Sequence, residues 1–317
     1  MSASWVNERV GLTVAALIKE RAGVPWSVAK RHVEGGKVFV DGERVVRVDE
    51  RLDAGAVVEL RLGAPRPADP EKEGVLVFDD AHVVVIDKPA GVNSVPYEPR
   101  ETGTAMDLIR GTWRRQARRE VPASAVPLHI VHRIDRATSG LLMFAKSKRA
   151  ELGLAAQLRD HSCERTYLCV GHGEVRSQRI ESDLVQDRGD GLRGSARRGQ
   201  QGGKRSVTHV IAQKWRDGSG VEVALRGSTF CAVRLETGRT HQIRIHFAES
   251  GHPLVGEDVY DRDHRKAELP LLPSSRLLLH AATLGFRHPI TGAPVALTSR
   301  LPPDFTAMLE RLARANP

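Results

Sequence analysis

The 317-residue chain carries 48 Lys and Arg against 39 Asp and Glu, a formal net charge of +9, with 40% hydrophobic and 27% charged residues. That excludes a mini-protein and a disordered chain, and predicts two or three globular units, each with its own core. The positive surplus makes nucleic acid the first partner to test and an anionic membrane surface the second, with a solvated basic surface without a ligand as the alternative.

Cys163, Cys169 and Cys231 form no C-x-x-C pair, which argues against a disulfide framework and against a thiolate zinc site. The stretch up to Trp26 lacks the basic head, apolar run and small-residue cleavage site of a secretory leader. No later stretch approaches the roughly 18 apolar residues of a membrane span, so a cytoplasmic protein without a membrane partner is expected.

Helical spacing from Leu12 to Glu20 ends at Gly23 and Pro25. Ser27 is placed to cap a second helix that points Val28, Ala29 and Val33 inward, presents Lys30 and Arg31, and ends at Gly35-Gly36. Lys37 to Val40 reads as a strand, Asp41-Gly42 as a tight hairpin turn, and Val45, Val46 and Val48 as the return. Ala56 to Leu62 supplies one more strand, giving a module over residues 1–62. Residues 63–74, rich in Pro and charge, read as a linker. This leaves 75–317 as a larger domain.

In that domain Val75–Phe78 and Val83–Ile86 are β-rich, and the breaker cluster Lys88-Pro89-Ala90-Gly91 follows. Leu141–Ala145 predicts a strand, Ser147 caps a helix through Leu158, and Thr166–Val170 predicts another strand. Helices and strands mix without a regular βαβ repeat, so the fold class is α+β: a small N-terminal αβ module plus a domain built on a mostly antiparallel mixed sheet. Asp187–Gly203 lacks an apolar face and reads as a basic surface loop.

Chemistry concentrates in two stretches. In His132-Arg133-Ile134-Asp135-Arg136-Ala137-Thr138-Ser139-Gly140, a polar loop feeds an apolar strand. A carboxylate between two guanidinium groups stays ionised and can serve as nucleophile or base; the alternative is an Asp that satisfies turn amides. The kinase pattern H-R-D is broken by Ile134, and neither a D-F-G nor a kinase glycine loop accompanies it. In Thr237 to His246, Thr240 is read as the N-cap of a helix of about three turns that ends before Gly251, with His241 and Arg244 on one face. The spacing of His241 and His246 does not fit a helical metal pair, and no metal site is expected.

Two small helices followed by strands, with Lys19, Arg21, Lys30, Arg31 and Lys37 close by, resemble the RNA-binding module named after the fourth small-subunit ribosomal protein. In the larger domain five segments in order resemble the RluA-type pseudouridine synthases: Lys88-Pro89-Ala90-Gly91 through Pro96, the His132–Gly140 signature, Thr237 to His246, His252 to Glu257, and Leu279-His280-Ala281 through Pro289.

The resemblance implies isomerisation of a uridine within RNA, its nitrogen-to-ribose bond replaced by a carbon-to-ribose bond, with no cofactor. It maps the catalytic Asp onto Asp135, which would attack the anomeric carbon or remove a neighbouring ribose proton. Tyr167 matches the tyrosine that packs against the reacting base, and Arg244 the basic partner that keeps the Asp ionised. Arg133 matches the residue that in some relatives fills the space left by the flipped base. Lys88, Arg239 and His241, with Lys30 and Arg31, are the further RNA-binding or loop-anchoring candidates.

The partner expected is RNA, with ribosomal RNA favoured by the appended module; Ser94-Val95-Pro96, which resembles the variant of transfer-RNA enzymes, keeps transfer RNA as the alternative. No obligatory protein partner is inferred. The rival is a non-catalytic RNA-binding or ribosome-assembly protein on the same scaffold. A glycosidase would need a second spaced carboxylate, and none accompanies Asp135 in these motifs.

Overall fold

A computed structural model describes residues 2–45, 47–64, 76–98, 101–116 and 126–314. The chain divides into two compact units, Met1–Pro70 and Glu71–Pro317. Most of the expected linker, and Val46 and Val75, lie outside the described residues.

In the first unit β1 (Ser2–Val6), α1 (Val14–Ala22), α2 (Trp26–Glu34), β2 (Val38–Val40), β3 (Glu43–Val45) and β4 (Val57–Arg61) follow in order. Thr13 caps α1 by accepting from the Ala16 amide, and Gly23 ends it in the left-handed region at φ 64°, where a Cβ would be strained. Two readings are corrected here. α2 starts at Trp26 with Pro25 at its N-cap, so Ser27 lies inside the first turn and the fixed proline φ starts the helix in place of a hydroxyl. The return strand stops at Val45, short of Val48. The hairpin turn is as predicted, with both Asp41 (φ 51°) and Gly42 (φ 85°) left-handed. β1, which lacks a clear alternating pattern, pairs antiparallel with β4 in a four-stranded sheet of order β1-β4-β2-β3. Val14, Leu17, Ile18, Ala29, Val33, Val38 and Val58 form this unit's core.

The second unit continues with β5 (Leu76–Asp79), β6 (Val83–Lys88), α3 (Ala105–Arg115), β7 (His129–Ile130), β8 (Ser139–Ala145), α4 (Lys148–Arg159) and β9 (Glu164–His172). Then come β10 (Gln178–Val185), β11 (Gly194–Ser195), β12 (Lys204–Gln213), β13 (Trp215–Arg216), β14 (Glu222–Val223) and β15 (Ser228–Leu235). The last elements are α5 (Gln242–Glu249), α6 (Arg262–Lys266), β16 (Leu279–Arg287), β17 (Pro294–Thr298) and α7 (Pro303–Arg314). The large sheet runs β11-β10-β12-β15-β9-β16-β8-β6-β5, with β17 added to β16 and β7 to β8. Its described pairings are antiparallel except for the short parallel contact between β16 and β8.

All seven residues of β8 are buried because both faces of the sheet are covered. Leu142 and Phe144 join Ile109 and Trp113 of α3 and Ile243 and Phe247 of α5. Leu141, Met143 and Ala145 face the other way, against Ala150 and Leu154 of α4. Each such aliphatic burial contributes about 1.5–3 kcal/mol. Ser147 caps α4 as expected, accepting from Ala150 N. At the start of β8, Gly140 has φ 111°, and a Cβ there would lie 2.3 Å from the carbonyl oxygen of Ala281, so only glycine lets β8 approach β16 where the polar loop ends. Within the expected surface loop 187–203, β11 pairs with Leu184 and Val185, and Glu249 of α5 accepts from the Ser195 amide at 2.9 Å.

Candidate active site

A cleft of about 910 Å³ in the second unit is lined by residues 130–136, by Arg165 and Tyr167 of β9, and by residues 237–243. Its walls are loops whose backbones are tied down by side chains from distant segments. Ser94 Oγ donates to the Ile134 carbonyl at 2.6 Å and accepts from the Ile134 amide at 3.1 Å, gripping the residue before Asp135. Lys88, expected at the RNA surface or as a loop anchor, is fully buried at the end of β6. Its ammonium donates to the carbonyls of Pro89, Val92 and Arg136, so it anchors loops and reaches no RNA. Burial pushes its pKa down to about 7 against the pull of nearby Asp135.

Asp135 follows in the loop between β7 and β8, its side chain 19% exposed. The turn closes through the backbone, the Thr138 amide donating to the Asp135 carbonyl at 3.1 Å. Among the described residues no turn amide occupies the carboxylate, which leaves both oxygens for other chemistry. Oδ2 lies 4.0 Å from Arg244 Nη1 and Oδ1 3.9 Å from His241 Nε2.

The segment that brings those two side chains in departs from the sequence expectation. α5 begins at Gln242 and is capped by His241, in the left-handed region at φ 59°, not by Thr240. Eight residues give it about two turns. No side chain caps it; the Gln242 side chain instead ties the helix start to its surroundings, its Oε1 accepting from Thr237 Oγ1 and the Arg239 amide while its Nε2 donates to the Val207 carbonyl and Thr208 Oγ1. Every residue from Gln242 to Phe247 is buried, and His246 is hydrogen-bonded to Thr208 and Ser182.

Arg244 has its shortest contacts elsewhere than at Asp135. Its Nε and Nη2 donate to Glu257 at 2.8 and 2.6 Å, and Nη2 also reaches Asp258 at 3.2 Å. Burial pushes the Glu257 carboxyl up, but the Arg244 bonds and amides from Val259 and Tyr260 outweigh it and hold the acid below its ordinary value. Glu257 is therefore a second buried carboxylate, consumed by a bidentate pair and not free to act with Asp135 as a glycosidase acid would. Tyr260 shares a 2.7 Å hydrogen bond with His241 Nδ1, and its phenol is pushed up to about 12 by burial. Burial also holds His241 below its ordinary value, although Asp135 pulls the other way.

Tyr167 is 7% exposed, with its phenol pKa raised by burial, and lines the cleft together with Asp135. Arg133 and Arg239 are exposed on the rim, where Arg193 and Arg205 join them. Lys30 and Arg31 are exposed on α2 of the first unit. Ser94, Glu257 and Tyr260 carry no individual role in the sequence reading, because each acts on a residue far along the chain; Arg165 carries none either.

The profile of the RNA pseudouridylate synthase family matches residues 82–249, spanning the Asp135 loop, Tyr167 and α5. The chain belongs to this family. Ribosomal large subunit pseudouridine synthase D of Zymomonas mobilis is 35% identical over 80% of this chain and 78% of its own length. The protein of the same name from Pseudomonas aeruginosa is 33% identical over 88% of this chain and 85% of its own. A solved structure, human RNA pseudouridylate synthase domain containing 4, shares the fold at a TM-score of 0.56 with 19% identity, over 75% of this chain and 92% of that one. These likenesses bear out the RluA-type resemblance: a pseudouridine synthase is an isomerase that converts uridine to pseudouridine in RNA. No helix among the described residues is long and apolar enough to cross a membrane.

Proposed function

We propose that this synthase modifies uridines of large-subunit ribosomal RNA, with Asp135 as the residue that acts on the ribose. The observation that carries the reading is one cleft in which the Asp135 carboxylate, held within 4.0 Å of Arg244 and free of turn amides, shares the wall with Tyr167. Two relatives named as ribosomal large subunit synthases, matching most of this chain, favour ribosomal over transfer RNA.

The target uridine leaves its stack and enters the cleft, its base against the Tyr167 ring and its ribose beside Asp135. As the bond from N1 to the anomeric carbon breaks, positive character develops on the sugar, and an ionised carboxylate at that position stabilises it by attack or takes a neighbouring proton. The uracil turns, C5 bonds to the anomeric carbon, and the proton lost from C5 is matched by one gained at the released N1, so no redox change occurs and no cofactor is required. Arg244, oriented by Glu257, positions the carboxylate. Arg133 and the rim arginines Arg193, Arg205 and Arg239 meet phosphates. The first unit, through Lys30, Arg31 and neighbouring cations, adds affinity as an RNA-binding module, and the enzyme works in the cytoplasm.

The test maps pseudouridines across total RNA from cells with and without the gene, and from cells carrying Asp135→Asn. Loss of specific sites in large-subunit ribosomal RNA, restored by wild type and not by Asp135→Asn despite RNA affinity within about threefold, is expected. Lost sites confined to transfer RNA would reject the substrate, and full activity of Asp135→Asn would reject the residue.

A further inference from the structure

Arg165 is a buried guanidinium without a task in the chemistry of Asp135. It leaves β9 two residues before Tyr167, so both side chains project from the same face of the strand, and both line the cleft. Arg165 is only 8% exposed. Among the described residues its guanidinium meets no carboxylate, and its Nε has no acceptor. Arg244, equally enclosed, is by contrast neutralised by Glu257 and Asp258. A guanidinium does not shed its proton, so a buried one calls for an anion.

A second donor stands in the same wall. The Met143 amide donates to His132 Nε2 at 3.2 Å, which leaves the ring proton on Nδ1, and this Nδ1 is sheltered and unbonded. Burial, reinforced by the Arg165 charge, drives the His132 pKa down to about 3, so the ring is a neutral donor there. Gly238 completes the arrangement: a Cβ at that position would come within 2.8 Å of Arg165 Nη1, so the missing side chain lets the guanidinium lie against the turn before α5.

We propose that Arg165 binds a phosphodiester adjoining the uridine in the cleft. The inference rests on the reading that the target uridine enters this cleft with its base on Tyr167. Residues two apart on a strand are separated by about 6.6 Å, a spacing suited to one nucleotide whose base lies on Tyr167 and whose backbone reaches Arg165. A phosphodiester supplies the full negative charge that the neutral uracil carbonyls lack. The anion would enter with the substrate, so its binding energy is available to insert and hold the flipped nucleotide.

The experiment measures single-turnover pseudouridine formation by the full chain on a short RNA with one target uridine. The natural RNA is compared with RNAs carrying one neutral methylphosphonate on the 5′ or the 3′ side of that uridine. Wild type is expected to lose about 30-fold in kcat/KM with one of the two, the size of a charge-assisted hydrogen bond. Arg165→Met should lose a similar factor on the natural RNA and less than about twofold more on the methylphosphonate, because the pair is then already broken. Full additivity of the two losses, or wild-type tolerance of both methylphosphonates, would overturn the assignment. A variant instead made insensitive to 4-thiouridine at the target would place Arg165 on the base and overturn it too. Should Arg165→Met fail to fold, Arg165→Lys carries the test, since losing the fork should shrink the methylphosphonate penalty about threefold or more, and an unchanged penalty counts against the proposal. Wild type inactive on every RNA would reject the reading of the cleft itself, whereas full activity with additive losses rejects the phosphate pairing alone.

Discussion

Arg244 donates from Nε and Nη2 to the two carboxylate oxygens of Glu257, and its remaining nitrogen, Nη1, stands 4.0 Å from Asp135 Oδ2. The buried glutamate therefore sets the plane of the guanidinium, and the plane decides which edge faces the cleft. Glu257 is itself held by the amides of Asp258, Val259 and Tyr260, so the chain that follows α5 folds back to orient a residue of that helix.

Glu257→Gln removes that charge while keeping size. A buried pair broken on one side costs about 3 kcal/mol or more, and the unclamped Arg244 should rotate away from Asp135. The expected result is a kcat lowered about 10- to 100-fold with KM within about threefold. Urea unfolding and steady-state kinetics on one preparation check both; an unchanged kcat would show that Arg244 needs no orienting partner.

Ser94→Ala deletes both hydrogen bonds to Ile134 and leaves a buried amide and carbonyl without their partner. The cost should be about 1–3 kcal/mol of stability. Since Ile134 precedes Asp135, kcat should also fall, with RNA affinity retained. Binding measured by fluorescence anisotropy, alongside turnover, separates the two.

Acid should destabilise the fold through its enclosed histidines. His246 and His280 have their pKa pushed down by burial from 6.5 to about 4, and His132 to about 3. Between those values and 6.5 the unfolded chain binds more protons than the folded one, so stability falls as pH drops below about 6.5. The slope is up to about 1.4 kcal/mol per pH unit for each histidine. Glu257, held below its ordinary value, acts in the same direction at still lower pH. Urea midpoints falling steeply from pH 6.5 to 4.5 are expected, and His246→Gln should make the fall shallower.

Binding led by phosphates must respond to salt. Affinity of the Asp135→Asn protein for ribosomal RNA fragments should fall linearly with the logarithm of salt concentration. Replacing exposed Lys30 and Arg31 by Ala in the full chain should reduce the slope by about one unit for each phosphate no longer neutralised. An unaltered slope with unaltered affinity would remove the first unit from the RNA interface.

What the sequence by itself determined is what neighbours along the chain can write. The left-handed turn at Asp41-Gly42, the Ser147 cap, the apolar run of β8 and the ordered motifs around Asp135, Tyr167 and Arg244 all depend on residues a few positions apart. Where a local signal competed with a distant one, the distant one won. Thr240 had the right chemistry for a helix cap, yet α5 starts at Gln242, whose side chain is bonded to Val207 and Thr208 on β12, with His241 before it in a left-handed backbone. Lys88 stood between an RNA contact and a loop anchor, and it is enclosed as the anchor because three carbonyls, one of them 48 residues away, converge on it. The Glu257 clamp, the Ser94 grip and the unpaired charge of Arg165 are likewise set by strand order. Hydrogen bonding and burial act through space, and only the packed sheet decides which buried charge has a partner.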